Sequence, residues 1–96
     1  MEIILVMKDY DELLDLKNKV ESVYGREKIC TFQAAEDAAA YAKGRHIDVC
    51  YTEVVLKGMS GIALAKELKK KGEDIQINFI SDTQEYALDA WKLFIN

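Results

Sequence analysis

The sequence predicts an α/β fold: a three-layer, doubly wound parallel sheet with helices on both faces. Three observations predict it. Short apolar runs alternate with longer segments of helical periodicity along the whole chain. Several of the runs are apolar at successive positions, as strands covered on both faces require. No linker, repeat or low-complexity stretch breaks the alternation within 96 residues, which make one domain, 1–96.

Each element has its own warrant. Ile3 to Met7 is a continuous apolar run and reads as the first strand. Asp11 to Tyr24 is helical, because Leu13, Leu16, Val20 and Val23 recur at helical spacing and Gly25 follows as a stop. Lys28 to Phe32 is a second strand, apolar and β-branched from Ile29. Ala34 to Lys43 is an Ala-rich helix carrying Tyr41 and ended by Gly44. Ile47 to Thr52 is the third strand. Ser60 to Lys71 is the third helix, with Ile62, Leu64, Ala65 and Leu68 inward, Lys66, Lys69, Lys70 and Lys71 toward water, and Gly72 at its end. Ile75 to Ile80 is the fourth strand. Asp82 or Thr83 caps a last helix from about Gln84, with Glu85 completing a capping box after Asp82. Tyr86, Ala87, Ala90, Trp91 and Phe94 form the apolar side of that helix.

Composition excludes several classes. Half of the residues (50%) are hydrophobic, enough for one modest core, and the net charge is -4 with both signs interspersed. That balance argues against direct nucleic-acid binding, and it leaves the Lys66 to Lys71 run as a solvated helix face. No apolar run approaches the roughly 20 residues that span a bilayer. Met1 to Met7 is too short for a signal peptide and lacks a basic leader, so the expected compartment is the cytoplasm. Cys30 and Cys50 lie in apolar strands and are expected as buried thiols, not a disulfide or metal pair. One histidine, His46, rules out a multi-histidine metal site and is expected at the surface. There is no Gly-rich phosphate loop, no Cys-x-x-Cys and no Ser-His-Asp set, so an enzyme is not expected.

In an open parallel sheet, ligands bind at the carboxyl ends of the strands. The residues expected there are Lys8 and Asp9, then Glu53, then Ser81 and Asp82. Each also has a plain structural reading. Glu53 is then a solvated acid at a strand end and Asp9 joins Asp11 and Glu12 in placing negative charge at a helix amino end. Ser81 and Asp82 are then helix-capping residues, and Trp91 with Tyr86 and Phe94 is core or an interface.

The words Gly58-Met59-Ser60-Gly61-Ile62-Ala63-Leu64-Ala65 and Ile80-Ser81-Asp82-Thr83-Gln84-Glu85-Tyr86-Ala87-Leu88-Asp89-Ala90-Trp91 resemble response-regulator receiver domains, most like those ahead of LytTR-type DNA-binding domains. The resemblance covers essentially the whole chain. It implies a CheY-like, flavodoxin-like sheet of strand order 2-1-3-4, with a fifth strand missing or supplied by another chain. It also implies a role in two-component signalling and transcription regulation.

The resemblance further assigns positions. Glu53 stands where the family carries its phosphoacceptor Asp, and Lys8 and Asp9 stand at the acidic pair that holds Mg²⁺. Ser81 matches the phosphate-contact residue, and Asp82 stands where a small residue gives access. The family's conserved-position Lys on a fifth strand has no counterpart before Asn96. Mg²⁺ takes carboxylate oxygens in near-octahedral geometry, and Lys8 puts a cation where one belongs. Glu53 carries its oxygens roughly 1 Å or more beyond an Asp, given ordinary bond lengths, and in-line phosphoryl transfer depends on placement.

The expectation is therefore a degenerate, non-phosphorylated receiver without catalytic residues or cofactor, with Lys8 paired directly to Glu53. The alternative is an active phosphoacceptor using Asp9, Glu53 and Ser81, with Asp9 as a metal ligand and Mg²⁺ as the cofactor. Output in resembling proteins runs through the face around Asp82 to Trp91, so Tyr86 and Trp91 are the candidate contact residues. The expected partner is a protein or a second copy, as a homodimer, with no membrane and no direct nucleic acid. Gln76 and Asn78 share one face of the fourth strand, which is expected to be wetter than a central strand.

Overall fold

The computed structural model describes residues 1–25, 27–72 and 74–80. The elements are β1 (Glu2–Val6), α1 (Tyr10–Tyr24), β2 (Lys28–Phe32), α2 (Ala35–Ala42), β3 (Val49–Glu53), α3 (Gly61–Lys71) and β4 (Gln76–Ile80). All strand pairs are parallel, in the order β2-β1-β3-β4. The expected fold class and strand order are both found.

Alternation along β1 builds two cores. Ile4 and Val6 face α2 and α3, packing with Ala35, Ala38, Ala42, Cys50, Leu64, Ala65, Leu68 and Ile77. Ile3 and Leu5 face α1, packing with Leu13, Val20 and Val49. The alanines of α2 let that helix lie close to the sheet. Leu64 is fully buried, worth about 2–3 kcal/mol of transfer free energy.

The helix ends follow from local chemistry. Asp9 caps α1, its Oδ2 accepting from the Glu12 N–H at 2.9 Å. Gly25 closes the same helix at φ 78°, a left-handed conformation that favours glycine. Ser60 caps α3, its Oγ accepting from the Ala63 N–H at 3.1 Å, and Lys69, Lys70 and Lys71 occupy its last turn.

Some expectations are corrected. Val23 is 76% exposed, while its neighbour Tyr24 packs against the α1-side core. Cys30 is half-buried, while Cys50 is fully buried. Lys69 and Ile62 are half-buried, since both flank the inward stripe of α3. Gln76 is exposed and Asn78 half-buried, both on one face of β4.

Candidate functional site

The site lies at the carboxyl end of the sheet. β1 and β3 are neighbours in register, Val6 opposite Thr52, which brings residues 8 and 53 together. Glu53 is the last residue of β3, and its Oε1 accepts the main-chain N–H of Lys8 at 2.7 Å. The Lys8 ammonium points elsewhere, donating to the Val55 carbonyl at 3.4 Å. The Lys8 carbonyl accepts from Gln33 Nε2 at 3.1 Å.

The expected direct ion pair between Lys8 and Glu53 is thereby corrected. Ion pairs among the described residues join the amino terminus to Glu27, Lys28 to Glu2, and His46 to Asp48 and Asp74. The Lys8 main-chain N–H meets the carboxylate, and the ammonium reaches the Val55 carbonyl in the following turn instead.

The turn after β3 is held from several sides. The Gly61 N–H donates to the Val54 carbonyl at 3.0 Å, and the Val54 N–H donates to the Ile80 carbonyl at 3.2 Å. A Cβ at Gly61 would collide with the Glu53 carbonyl, so the close approach of α3 to the end of β3 requires glycine there. Thr52 is fully buried, its Oγ1 donating to the Glu53 carbonyl at 3.0 Å. Gly58 has φ 74°, and the next N–H, of Met59, donates to Glu36 Oε2 at 3.2 Å.

Asp9, the metal ligand of the alternative reading, and Glu53, at the expected phosphoacceptor position, each accept a main-chain N–H. Asp9 caps α1 and Glu53 accepts from the Lys8 main chain, while a lysine ammonium lies on the Val55 carbonyl. Among the described residues, no group of three His, Cys, Asp or Glu side chains is placed to hold a metal ion. Mg²⁺ is usually held by one or two carboxylates with waters completing its octahedron; here Asp9 and Glu53 each have one oxygen in a hydrogen bond to main chain. Ser81, Asp82, Tyr86 and Trp91 lie outside the described residues.

At the opposite end of the sheet a second acid has a comparable role. Asp48 Oδ2 accepts the Glu2 N–H at 2.7 Å, and the Asp48 N–H donates back to the Glu2 carbonyl at 2.9 Å. The Glu2 N–H, helped by His46 with Nε2 at 3.1 Å, holds the Asp48 carboxyl below its usual range. His46 is exposed, as expected.

Beside β2, Cys30 Sγ donates to Tyr41 Oη at 3.2 Å, and the Arg45 guanidinium lies 4.2 Å from the Tyr41 ring centre. The Cys30 contact and burial push the Tyr41 hydroxyl up to about 12. Burial pushes the Cys50 thiol up to about 12, which makes it inert.

Sequence reasoning missed Gln33, Glu36, Asp48 and Val55. Asp48 carried one readable signal, an acid immediately before an apolar strand. The others are common residue types whose contacts are long-range.

The response regulator receiver domain family matches residues 4–95. This chain belongs to that family. No curated protein matches it. Among solved structures, it is similar to a response regulator receiver domain protein from Clostridium thermocellum at 18% identity and TM-score 0.82, covering 97% of this chain and 75% of that one. It is similar to the MaeR response regulator bound to beryllium trifluoride at 19% identity and TM-score 0.78, covering 100% and 79%. It is also similar to the signal receiver domain of a modulated diguanylate cyclase from Desulfovibrio desulfuricans G20 at 23% identity and TM-score 0.79, covering 96% and 74%. At these identities the receiver's likeness to the solved structures is one of fold. No helix among its described residues is long and apolar enough to cross a membrane.

Proposed function

We propose that this receiver is a protein-contact signalling module that does not use Mg²⁺-dependent phosphorylation. One observation carries the reading: the carboxylate at the phosphoacceptor position is engaged by the Lys8 main chain, beside a lysine ammonium seated on the Val55 carbonyl. Phosphoryl transfer needs a free, in-line nucleophilic oxygen and a cation to neutralise the phosphate. Glu53 has one oxygen committed, and the neighbouring cation is monovalent and already bonded. The site is thereby fixed in one arrangement by its own residues.

The partner reading follows the family, whose receiver domains act through contacts with other proteins and with one another. Self-association, or contact with a protein partner near Tyr86 and Trp91, is the proposed output. A LytTR-type domain is the DNA-binding partner that the sequence words suggest, and the cytoplasm is the corresponding compartment. Light scattering across a concentration series tests the self-association, which a monomer at every concentration would refute.

The phosphorylation reading is tested by incubation with acetyl phosphate and Mg²⁺, followed by intact mass, with an NMR titration of Mg²⁺ alongside. The expected result is no adduct and no saturable shift at Lys8, Asp9 or Glu53. An adduct together with metal binding at millimolar or tighter concentration overturns the reading and favours the active phosphoacceptor.

A further inference from the structure

α2 begins at Ala35 after Ala34, which has no side chain to cap it. The acids of its first turn are Glu36 and Asp37. Glu36 does not turn back onto its own helix. Its Oε2 reaches the Met59 N–H at 3.2 Å, 23 residues along the chain. The turn it meets is shaped to receive it. Gly58 holds φ 74°, and a Cβ there would collide with the same Glu36 oxygen. Glycine at 58 is favoured by the backbone conformation, and a side chain there would also displace the Glu36 carboxylate.

The turn that Glu36 grips begins at Val55, whose carbonyl receives the Lys8 ammonium, and ends at Ser60, the cap of α3. Gln33, just ahead of α2, holds the Lys8 carbonyl from the other side. Two contacts from the start of α2 therefore reach two different loops of the site. Neither involves the segment after β4.

We propose that Glu36 is a positioning residue for the β3–α3 turn and, through that turn, for the contact between Lys8 and Val55. No step in this involves phosphate, so it stands whether or not Glu53 is an acceptor. It makes α2 a reporter of the site.

The test is residue-resolved amide exchange and chemical shift by NMR on Glu36→Ala and Glu36→Gln. The expected result for Glu36→Ala is Met59 exchange about tenfold faster, the scale of one lost hydrogen bond. The Val55 carbonyl-carbon and Lys8 amide shifts move with it, while exchange at Ile4 and Cys50 is unchanged. Glu36→Gln, whose carboxamide oxygen still accepts, restores most of the wild-type pattern. Unchanged Met59 exchange overturns the proposal. So does acceleration spread equally over Ile4 and Cys50, which would mark a merely structural role, and so does a Val55 shift that stays in place.

Discussion

Both ends of the β1–β3 pair are closed by a carboxylate from the β3 side accepting a β1-side main-chain N–H at 2.7 Å. At the amino end Asp48 takes the N–H of Glu2, and at the carboxyl end Glu53 takes that of Lys8. The bonds match, but their surroundings do not. Asp48 is a hub: its N–H bonds the Glu2 carbonyl and its carbonyl accepts the Gln76 N–H at 3.0 Å, tying β1, β3 and β4. Glu53 also pairs with Ile80 of β4, but it lies beside an exposed lysine and a turn held from α2. A strand-end acid is thus first a ladder-closing device.

The largest expected effect breaks the carboxyl end by sterics. Gly61→Ala drives a Cβ into the Glu53 carbonyl, a main-chain group that cannot rotate away. Overpacking of that kind costs about 3 kcal/mol, read as a lower urea midpoint with unchanged slope. Stability within about 0.5 kcal/mol of wild type, the ordinary range for a surface change, would mean that α3 moves freely relative to β3.

The amino end is tested through pH. The Asp48 carboxyl is depressed below its ordinary 3.8, chiefly by the Glu2 N–H. A depressed carboxyl contributes stability above the ordinary value and loses it as pH falls through the depressed one. Urea midpoints measured downward from about pH 6, well above the carboxylate range, should therefore fall in wild type more steeply than in Asp48→Asn. The two curves converge in acid. Parallel curves would show that the carboxylate charge at this end does nothing.

Much of this was legible in the chain. β2 runs from Lys28 to Phe32 as its apolar, β-branched pattern indicates. β1 runs from Glu2, one residue earlier than hydropathy suggests, because Asp48 closes the Glu2 N–H and makes a polar residue part of the strand. At the site, strand topology alone selects Lys8, Asp9 and Glu53. What it does not carry is which atom of Lys8 meets Glu53, since a side-chain alphabet hides main-chain donors. Glu36 and Gln33 were invisible for a related reason. An acid in the first turn of a helix satisfies the helix dipole wherever it points, so its residue type says nothing of a bond formed 23 residues away.

A smaller effect separates reach from charge at residue 53. Glu53→Ala removes the acceptor of the Lys8 N–H at an exposed site and should cost about 1 kcal/mol. Glu53→Gln keeps an acceptor oxygen at the same reach and should cost less than half of that. Glu53→Asp keeps the charge but withdraws the oxygen, and should resemble the alanine variant. If Asp instead matches wild type while Gln does not, then charge, and not the ladder-closing bond, is what this end uses.

The smallest effect is at Lys8, and it bears most directly on the chemistry. Lys8→Ala leaves the main-chain N–H on Glu53 and removes only the 3.4 Å contact of the ammonium with the Val55 carbonyl. An exposed contact of that length is worth at most about 0.5 kcal/mol, so the urea midpoint should barely move. The lysine should show itself in cation binding instead. Lys8→Asp puts a carboxylate near Asp9, Glu53 and the Val55 carbonyl and removes the resident ammonium. In that variant an NMR titration should reveal Mg²⁺ binding at millimolar concentration where wild type has none. If Lys8→Asp shows no Mg²⁺-dependent shift either, the ammonium is incidental to cation binding at this end of the sheet.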